Sequence, residues 1–174
     1  RSHNQYGKMW ECPDFFPLDG RQVLLTSPQE MKPVGLEFHA GNGTVCLIGD
    51  YAPEDGGFTR RYVQAIDYGL DFYAPQTLLA PDGRRIMIAW MQNWGTVGAK
   101  PCHCRWFGQM TLPRELSVKD GRLYQNPVRE LERYRSGCVL HRNIPVCGEV
   151  NLPGVQGRVL DMTVTVRPTG GEIY

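Results

Sequence analysis

The 174-residue sequence lacks several of the features that would settle its class at once. No apolar run approaches the ~20 residues that span a bilayer, so a membrane helix is excluded. Neither sign of charge dominates: 19 Lys and Arg stand against 18 Asp and Glu, a net charge of +1. That balance argues against a nucleic-acid binder or a protein held electrostatically to a membrane surface. Cysteine is scarce. Six thiols are too few for a small disulfide scaffold, and as free thiols they lean toward a cytoplasmic enzyme. Cys102-His103-Cys104 suggests a metal, but zinc ligands favour C-x2-C or H-x3-H spacing and no second pair follows at a matching distance. The segment reads as a loop with reduced thiols, with no metal or other cofactor expected. His3, His39, His103 and His141 show no partner spacing. The chain opens on Arg1-Ser2-His3-Asn4 and stops at Glu172-Ile173-Tyr174, just after a Gly-Gly turn. With no initiator Met and no signal pattern, it reads as a piece of a longer protein.

What the sequence has is turns. Twenty Gly and 13 Pro, with 41% hydrophobic and 21% charged residues, describe a globular chain of many short strands. Strands are predicted at residues 23–26, 44–49, 61–66, 78–79, 85–91, 107–112, 116–118 and 122–124. Asp82-Gly83 between two apolar runs is a hairpin signal, because Gly accepts the positive φ such turns require.

Asp-Gly-Arg occurs three times, at Asp19, Asp82 and Asp120. The first two belong to a longer internal match. Trp10-Glu11-Cys12-Pro13-Asp14-Phe15-Phe16-Pro17-Leu18-Asp19-Gly20-Arg21 aligns without gaps on Tyr73-Ala74-Pro75-Gln76-Thr77-Leu78-Leu79-Ala80-Pro81-Asp82-Gly83-Arg84. Each copy is followed by an apolar strand and about two more, and four short antiparallel strands per unit is the pattern of a β-propeller blade. Innermost blade strands line a central channel. The alignment makes Glu11 and Ala74 equivalent at the start of two such strands. A Glu set between Trp10 and Cys12 is poorly placed for a solvated charge. Desolvation there is expected to raise its pKa and suit it to general acid work.

The texture changes near Gln125. Asn126-Pro127-Val128-Arg129-Glu130-Leu131-Glu132-Arg133-Tyr134 reads as a short helix, with Asn126 as cap and Pro127 in the first turn. Leu160, Met162, Val164 and Val166 then alternate with polar residues, as in a strand of a β-sandwich. The expected organisation is a partial propeller over residues 1–125, a helical linker over 126–135 and the start of a sandwich over 136–174. The fold class is all-β.

Trp10-Glu11-Cys12-Pro13-Asp14 resembles the β-fructofuranosidases of glycoside hydrolase family 32, which include invertases and sucrose-6-phosphate hydrolases. Three further segments share the resemblance: Asp67-Tyr68-Gly69-Leu70-Asp71-Phe72-Tyr73-Ala74-Pro75-Gln76, Arg85-Ile86-Met87-Ile88-Ala89-Trp90-Met91-Gln92-Asn93-Trp94, and Met110-Thr111-Leu112-Pro113-Arg114-Glu115-Leu116. Their order and spacing match over residues 1 to about 135. The resemblance implies a five-bladed propeller followed by a β-sandwich. It also implies metal-free, retaining hydrolysis of β-fructofuranosides such as sucrose, sucrose 6-phosphate or fructo-oligosaccharides. Such a reaction needs a nucleophilic carboxylate and a proton-donating carboxyl about 5–5.5 Å apart. Glu11 matches the family's acid/base and Cys12 the neighbour that tunes it. The family's nucleophile sits in an Asn-Asp-Pro-Asn-Gly-like segment and a further Asp in Arg-Asp-Pro. Neither segment occurs here, so the 174 residues alone are expected to be inactive.

Asp67 resembles a position that contacts the leaving sugar; a turn-forming Asp is the alternative. Asp71 could bond a sugar hydroxyl or its own loop. Trp94 lies just past a predicted strand, where an aromatic face can wall a sugar ring. Trp90, Trp10 and Tyr73 read as packing. Arg60-Arg61 could receive a phosphate or form a solvated face. The partner implied is a fructoside sugar. A fructosyltransferase of the same fold and a non-catalytic carbohydrate-binding propeller are the alternative readings.

Overall fold

The computed structural model describes residues 6–69, 71–95, 97–98, 103 and 105–168. The chain divides into two compact units, Arg1–Val128 and Arg129–Tyr174.

The first unit is built from two four-stranded antiparallel sheets, each a meander of strands consecutive in sequence. The first holds β1 (Met9–Leu18), β2 (Arg21–Gln29), β3 (Val45–Ala52) and β4 (Gly57–Ala65). The second holds β5 (Tyr73–Leu79), β6 (Arg85–Trp90), β7 (Arg114–Lys119) and β8 (Arg122–Pro127). The predicted strands fall on these elements, overrunning them by one residue at Thr44, Ile66 and Met91, except 107–112. That stretch meets β6 through an isolated bridge, Met110 to Trp90, flanked by bonds from Met91 N to Gln109 O and from Thr111 N to Ala89 O, without extending into a ladder. Pro113 follows it directly, and proline has no N–H for a ladder.

Strand alternation places the core. In β3, Cys46 and Ile48 face the second sheet, where they join Phe16, Leu25, Met87 and Leu123 in one buried cluster. Val45 and Leu47 point the other way, into a cluster with Tyr6, Met31 and Phe38. A strand buried on both faces reads as an unbroken apolar run, which is why 44–49 does.

Side chains of one sheet close backbone groups of the other. Gln64 Nε2 donates to Leu123 O at 3.1 Å while Leu123 N donates to Gln64 Oε1 at 2.8 Å. Val118 N donates to Asp19 Oδ2, Thr77 N to Asp14 Oδ2 (both 2.7 Å) and Ala74 N to Ser27 Oγ at 2.9 Å.

The repeat is real but its register differs from the gapless alignment. β1 carries a bulge between Glu11 and Asp14, and β5 carries one between Tyr73 and Gln76. Within the bulges, Cys12 (φ 47°) and Ala74 (φ 51°) share a left-handed conformation. Glu11 is therefore equivalent to Tyr73, 62 residues on, and not to Ala74. The extra residue lies in the hairpins. Asp19-Gly20 is a two-residue turn with both φ positive, the I′ geometry, whereas residues 80–84 form a five-residue loop in which only Gly83 is left-handed. A one-residue slip exchanges the faces of a strand, so the correction changes which side chains are counterparts.

In the second unit the described residues hold one 3-10 helix, Arg129–Tyr134, and no strand. The predicted helix is thus shorter than expected. Asn126 and Pro127 belong to β8, paired with Glu115 and Arg114, and do not start the helix. The alternating stretch at 160–166 is not a strand. Leu160, Met162, Val164 and Val166 are each more than half exposed, because alternation needs a paired neighbour to become a ladder.

Candidate active site

The β1 bulge bends the strand and aims Glu11 at a ring of donors drawn from three places in the chain. Gln29, at the end of β2, donates Nε2–H to Glu11 Oε2 at 2.8 Å. Tyr73, at the start of β5, donates its phenol to the same oxygen at 2.8 Å. Trp94, just beyond β6, donates its indole Nε1–H there at 3.0 Å. The site thus spans both sheets and is braced around Ser27, whose carbonyl accepts from Tyr73 at 3.1 Å. Trp94 stands edge-on to Trp90 with ring centroids 5.7 Å apart, and its own ring is half exposed.

The electrostatics differ from the expected raised acid. Tyr73 first, then Trp94, then Gln29, hold the Glu11 carboxyl below its ordinary value, outweighing the burial that pushes it up. A carboxylate that accepts several hydrogen bonds is stabilised in its charged form. Tyr73 moves the opposite way: burial, then the bond to Glu11, raises its pKa. Its phenol therefore keeps its proton and remains a donor throughout the neutral range.

The other candidate residues divide. Cys12 adjoins Glu11 and is exposed; its carbonyl accepts from Gln76 Nε2 at 3.2 Å. Asp71 Oδ1 accepts from Asn93 Nδ2 at 3.1 Å, and Asn93 Oδ1 takes Gly95 N at 2.7 Å, so Asp71 is tied to the segment carrying Trp94. Asp67 is engaged elsewhere. It caps its own turn through Gly69 N at 2.8 Å and pairs with Arg114 at 3.0 Å. Arg114 in turn lies over the Phe72 ring, 4.8 Å from its centroid. A shallow depression of about 510 Å³ adjoins this pair, lined by Met91, Thr111, Leu112, Arg114, Gln125 and Pro127. Neither Glu11 nor its donors line it. Arg61 pairs with Asp50 at 2.7 Å and Arg60 lies over the Tyr6 ring, so both arginines have partners within the fold. Among the described residues no group of three His, Cys, Asp or Glu is placed to hold a metal; Cys102, Cys104 and His3 lie outside them.

Two site residues were not singled out from the sequence for chemistry. The sequence reads Tyr73 as packing and gives Gln29 no distinguishing motif. A signal for Tyr73 was present: a shift of one residue in the repeat aligns Pro13 with Pro75 and Glu11 with Tyr73. Gln29 becomes visible only through the pairing of Met9 with Gln29.

Comparison with known proteins identifies the family. Residues 1–127 match the model of the glycosyl hydrolases family 32 N-terminal domain. A raffinose invertase of Escherichia coli is 44% identical over 79% of the chain, which covers 29% of that protein. A sucrose-6-phosphate hydrolase of Bacillus subtilis is 41% identical over 76% of the chain and 28% of its own length. A solved structure of a Bombyx mori GH32 beta-fructofuranosidase mutant in complex with sucrose superposes with a TM-score of 0.70 at 36% identity. That match covers 80% of this chain and 30% of that one. The chain spans less than a third of the length of each of these relatives. With most of its residues matched by the family's N-terminal domain, the chain belongs to glycosyl hydrolases family 32.

Proposed function

We propose that this chain supplies the acid/base half of a retaining β-fructofuranosidase acting on sucrose-type fructosides. The observation that carries the reading is Glu11. It is a carboxyl in the family's matched region, half-buried and oriented by side chains from three separate elements. In the first step Glu11 gives its proton to the glycosidic oxygen as the bond to the fructosyl carbon breaks and its electron pair passes to that oxygen. A second carboxylate attacks that carbon to form the fructosyl-enzyme. In the second step Glu11 takes a proton from the water that releases fructose.

Among the described residues no carboxylate is a hydrogen-bond partner of Glu11, and the nucleophile is proposed to come from protein outside these 174 residues. Its charge and the bound sugar also answer the lowered pKa. A like charge at ~5 Å and the exclusion of water both push a carboxyl upward, toward the protonated form the first step needs. Trp94 is proposed as the sugar-facing wall and Cys12 as the neighbour that tunes the acid. Asp71 is proposed to act at the sugar beside the Trp94 segment, and Asp67 to contact the leaving sugar as part of its pair with Arg114. The names of the relatives and the sucrose complex support the substrate class.

The matching domain reading is a partial propeller over 1–125, which β8 extends to Pro127, then a linker up to residue 135 and the start of a second β domain over 136–174. The exposed alternating side chains of 160–166 favour a paired neighbour from outside the chain.

The test is Glu11→Gln in the full-length protein that carries this chain. Hydrolysis of sucrose is expected to fall about 100- to 10,000-fold, and hydrolysis of an aryl fructoside with an acidic leaving group far less. Undiminished rates on sucrose overturn the reading.

A further inference from the structure

Three donors converge on one oxygen of Glu11. Tyr73, Gln29 and Trp94 all reach Oε2, while Oε1 accepts no hydrogen bond from any described residue. A carboxylate oxygen has about two lone-pair directions; the Gln29 and Trp94 N–H groups fill them, and the single phenol hydrogen of Tyr73 is shared between Oε2 and the Ser27 carbonyl. A proton placed on Oε2 would face the Gln29 and Trp94 hydrogens and displace one of them. A proton on Oε1 disturbs none.

We propose that Oε1 of Glu11 is the oxygen that gives and takes the catalytic proton, and that Gln29 is the positioning residue that keeps it so. The proposal rests on the acid/base reading above. Of the three donors, Gln29 is the one suited to fix the carboxyl on its own sheet. Tyr73 also serves the Ser27 carbonyl, and Trp94 stands on a half-exposed segment. Gln29 sits on the strand paired with β1, and its own backbone is clamped. Lys8 N donates to Gln29 O at 2.9 Å, and Gly7, at φ +80°, passes so near that an added Cβ would lie 2.3 Å from that carbonyl. Lys8 and Glu30 form an ion pair across the same spot.

The side-chain amide also selects function over charge. Gln29 donates a hydrogen bond but carries no titratable proton, so it anchors Oε2 at every pH. The titratable groups against Glu11 are the Tyr73 phenol and the adjoining Cys12 thiol. The phenol is held protonated, and the Cys12 carbonyl, not its thiol, takes the Gln76 bond.

The experiment uses the full-length protein with Gln29→Met, which keeps the length of the side chain and removes the donor, and Gln29→Glu, which keeps its shape and adds a like charge. The readouts are the pH profile of kcat/KM on sucrose and the ratio of sucrose to aryl fructoside turnover. Removing a donor from the carboxylate raises its pKa, so the alkaline limb moves to higher pH in Gln29→Met and further in Gln29→Glu. Turnover of sucrose falls about 10- to 100-fold, with a smaller loss on the aryl fructoside that needs no proton. An unmoved alkaline limb in both variants, or equal losses on both substrates, overturns the positioning role. If Gln29→Met fails to fold, Gln29→Glu decides alone. Glu11→Gln run alongside separates the two claims. If it spares sucrose hydrolysis, the acid/base reading itself falls. If it abolishes hydrolysis while the Gln29 variants keep the wild-type limb, only the inference about Gln29 and Oε1 falls.

Discussion

The phenol of Tyr73 donates to Glu11 Oε2 at 2.8 Å from the position in β5 that Glu11 occupies in β1. The same bulge in two consecutive sheets thus delivers the carboxyl and one of its donors, face to face across the gap between the sheets. Tyr73→Phe is expected to keep the packing of this fully buried ring and lose only the hydroxyl. Glu11 then loses the strongest of the interactions that hold its pKa down, so the alkaline limb of kcat/KM moves to higher pH. A pH titration of the Tyr73→Phe variant on sucrose checks this. A limb that moves to lower pH contradicts it.

Trp94 has two separable duties, a hydrogen bond through Nε1 and a half-exposed ring beside Trp90. Trp94→Phe removes the first and keeps most of the second. It is expected to lower kcat about tenfold, the equivalent of a hydrogen bond of roughly 1.4 kcal/mol, with KM little changed. Trp94→Ala removes both and raises KM as well. Steady-state kinetics of the two variants on sucrose separate the duties.

Gln64 is the clip between the sheets. Its buried amide pairs both backbone groups of Leu123, and Gln64→Leu strands that N–H and C=O away from water. The expected loss is about 1–3 kcal/mol for each orphaned group, read as a lower urea midpoint of the first unit's unfolding. An unchanged midpoint shows that the sheets do not depend on this clip.

The thiols are ranked by burial. Cys46 is fully buried in the core between the sheets, and burial pushes its pKa up to about 12, whereas Cys12, Cys138 and Cys147 are exposed. Thiolate, the reactive form, is scarce at Cys46 at any working pH. In folded protein treated with iodoacetamide at pH 8, mass spectrometry is expected to find Cys12, Cys138 and Cys147 alkylated well before Cys46.

Strand positions were legible because alternation and turn chemistry are local. The β3 segment reads as an unbroken apolar run because it is buried on both faces, and Asp82-Gly83 marks the β5–β6 connection with Gly83 at positive φ, although that connection is a five-residue loop. Glu11 and Trp94 were legible from the segments that carry the family resemblance. Tyr73 and Gln29 were not, because their roles depend on register. One extra residue in the 80–84 loop shifts the gapless alignment, so Glu11 is set against Ala74 and its true counterpart is hidden. The pKa of Glu11 moves opposite to the sequence expectation for a related reason. Flanking Trp10 and Cys12 suggest burial, but the groups that set the carboxyl's energy are donors 18, 62 and 83 residues away. The alternation at 160–166 shows the limit of pattern, since a one-faced strand needs a partner that these described residues do not provide.

The account stands on Glu11 as the group that moves the proton, and chemical rescue tests it most directly. The Glu11→Ala variant of the full-length protein is given an aryl β-fructofuranoside whose leaving group needs no proton, with and without azide. Fructosyl-enzyme then forms without the acid but lacks the base that activates water, and azide, which needs no base, attacks in its place. Slow turnover is expected without azide, and acceleration by azide with a β-fructosyl azide product of retained configuration. Turnover near wild type without azide, or no azide adduct at any concentration, contradicts it.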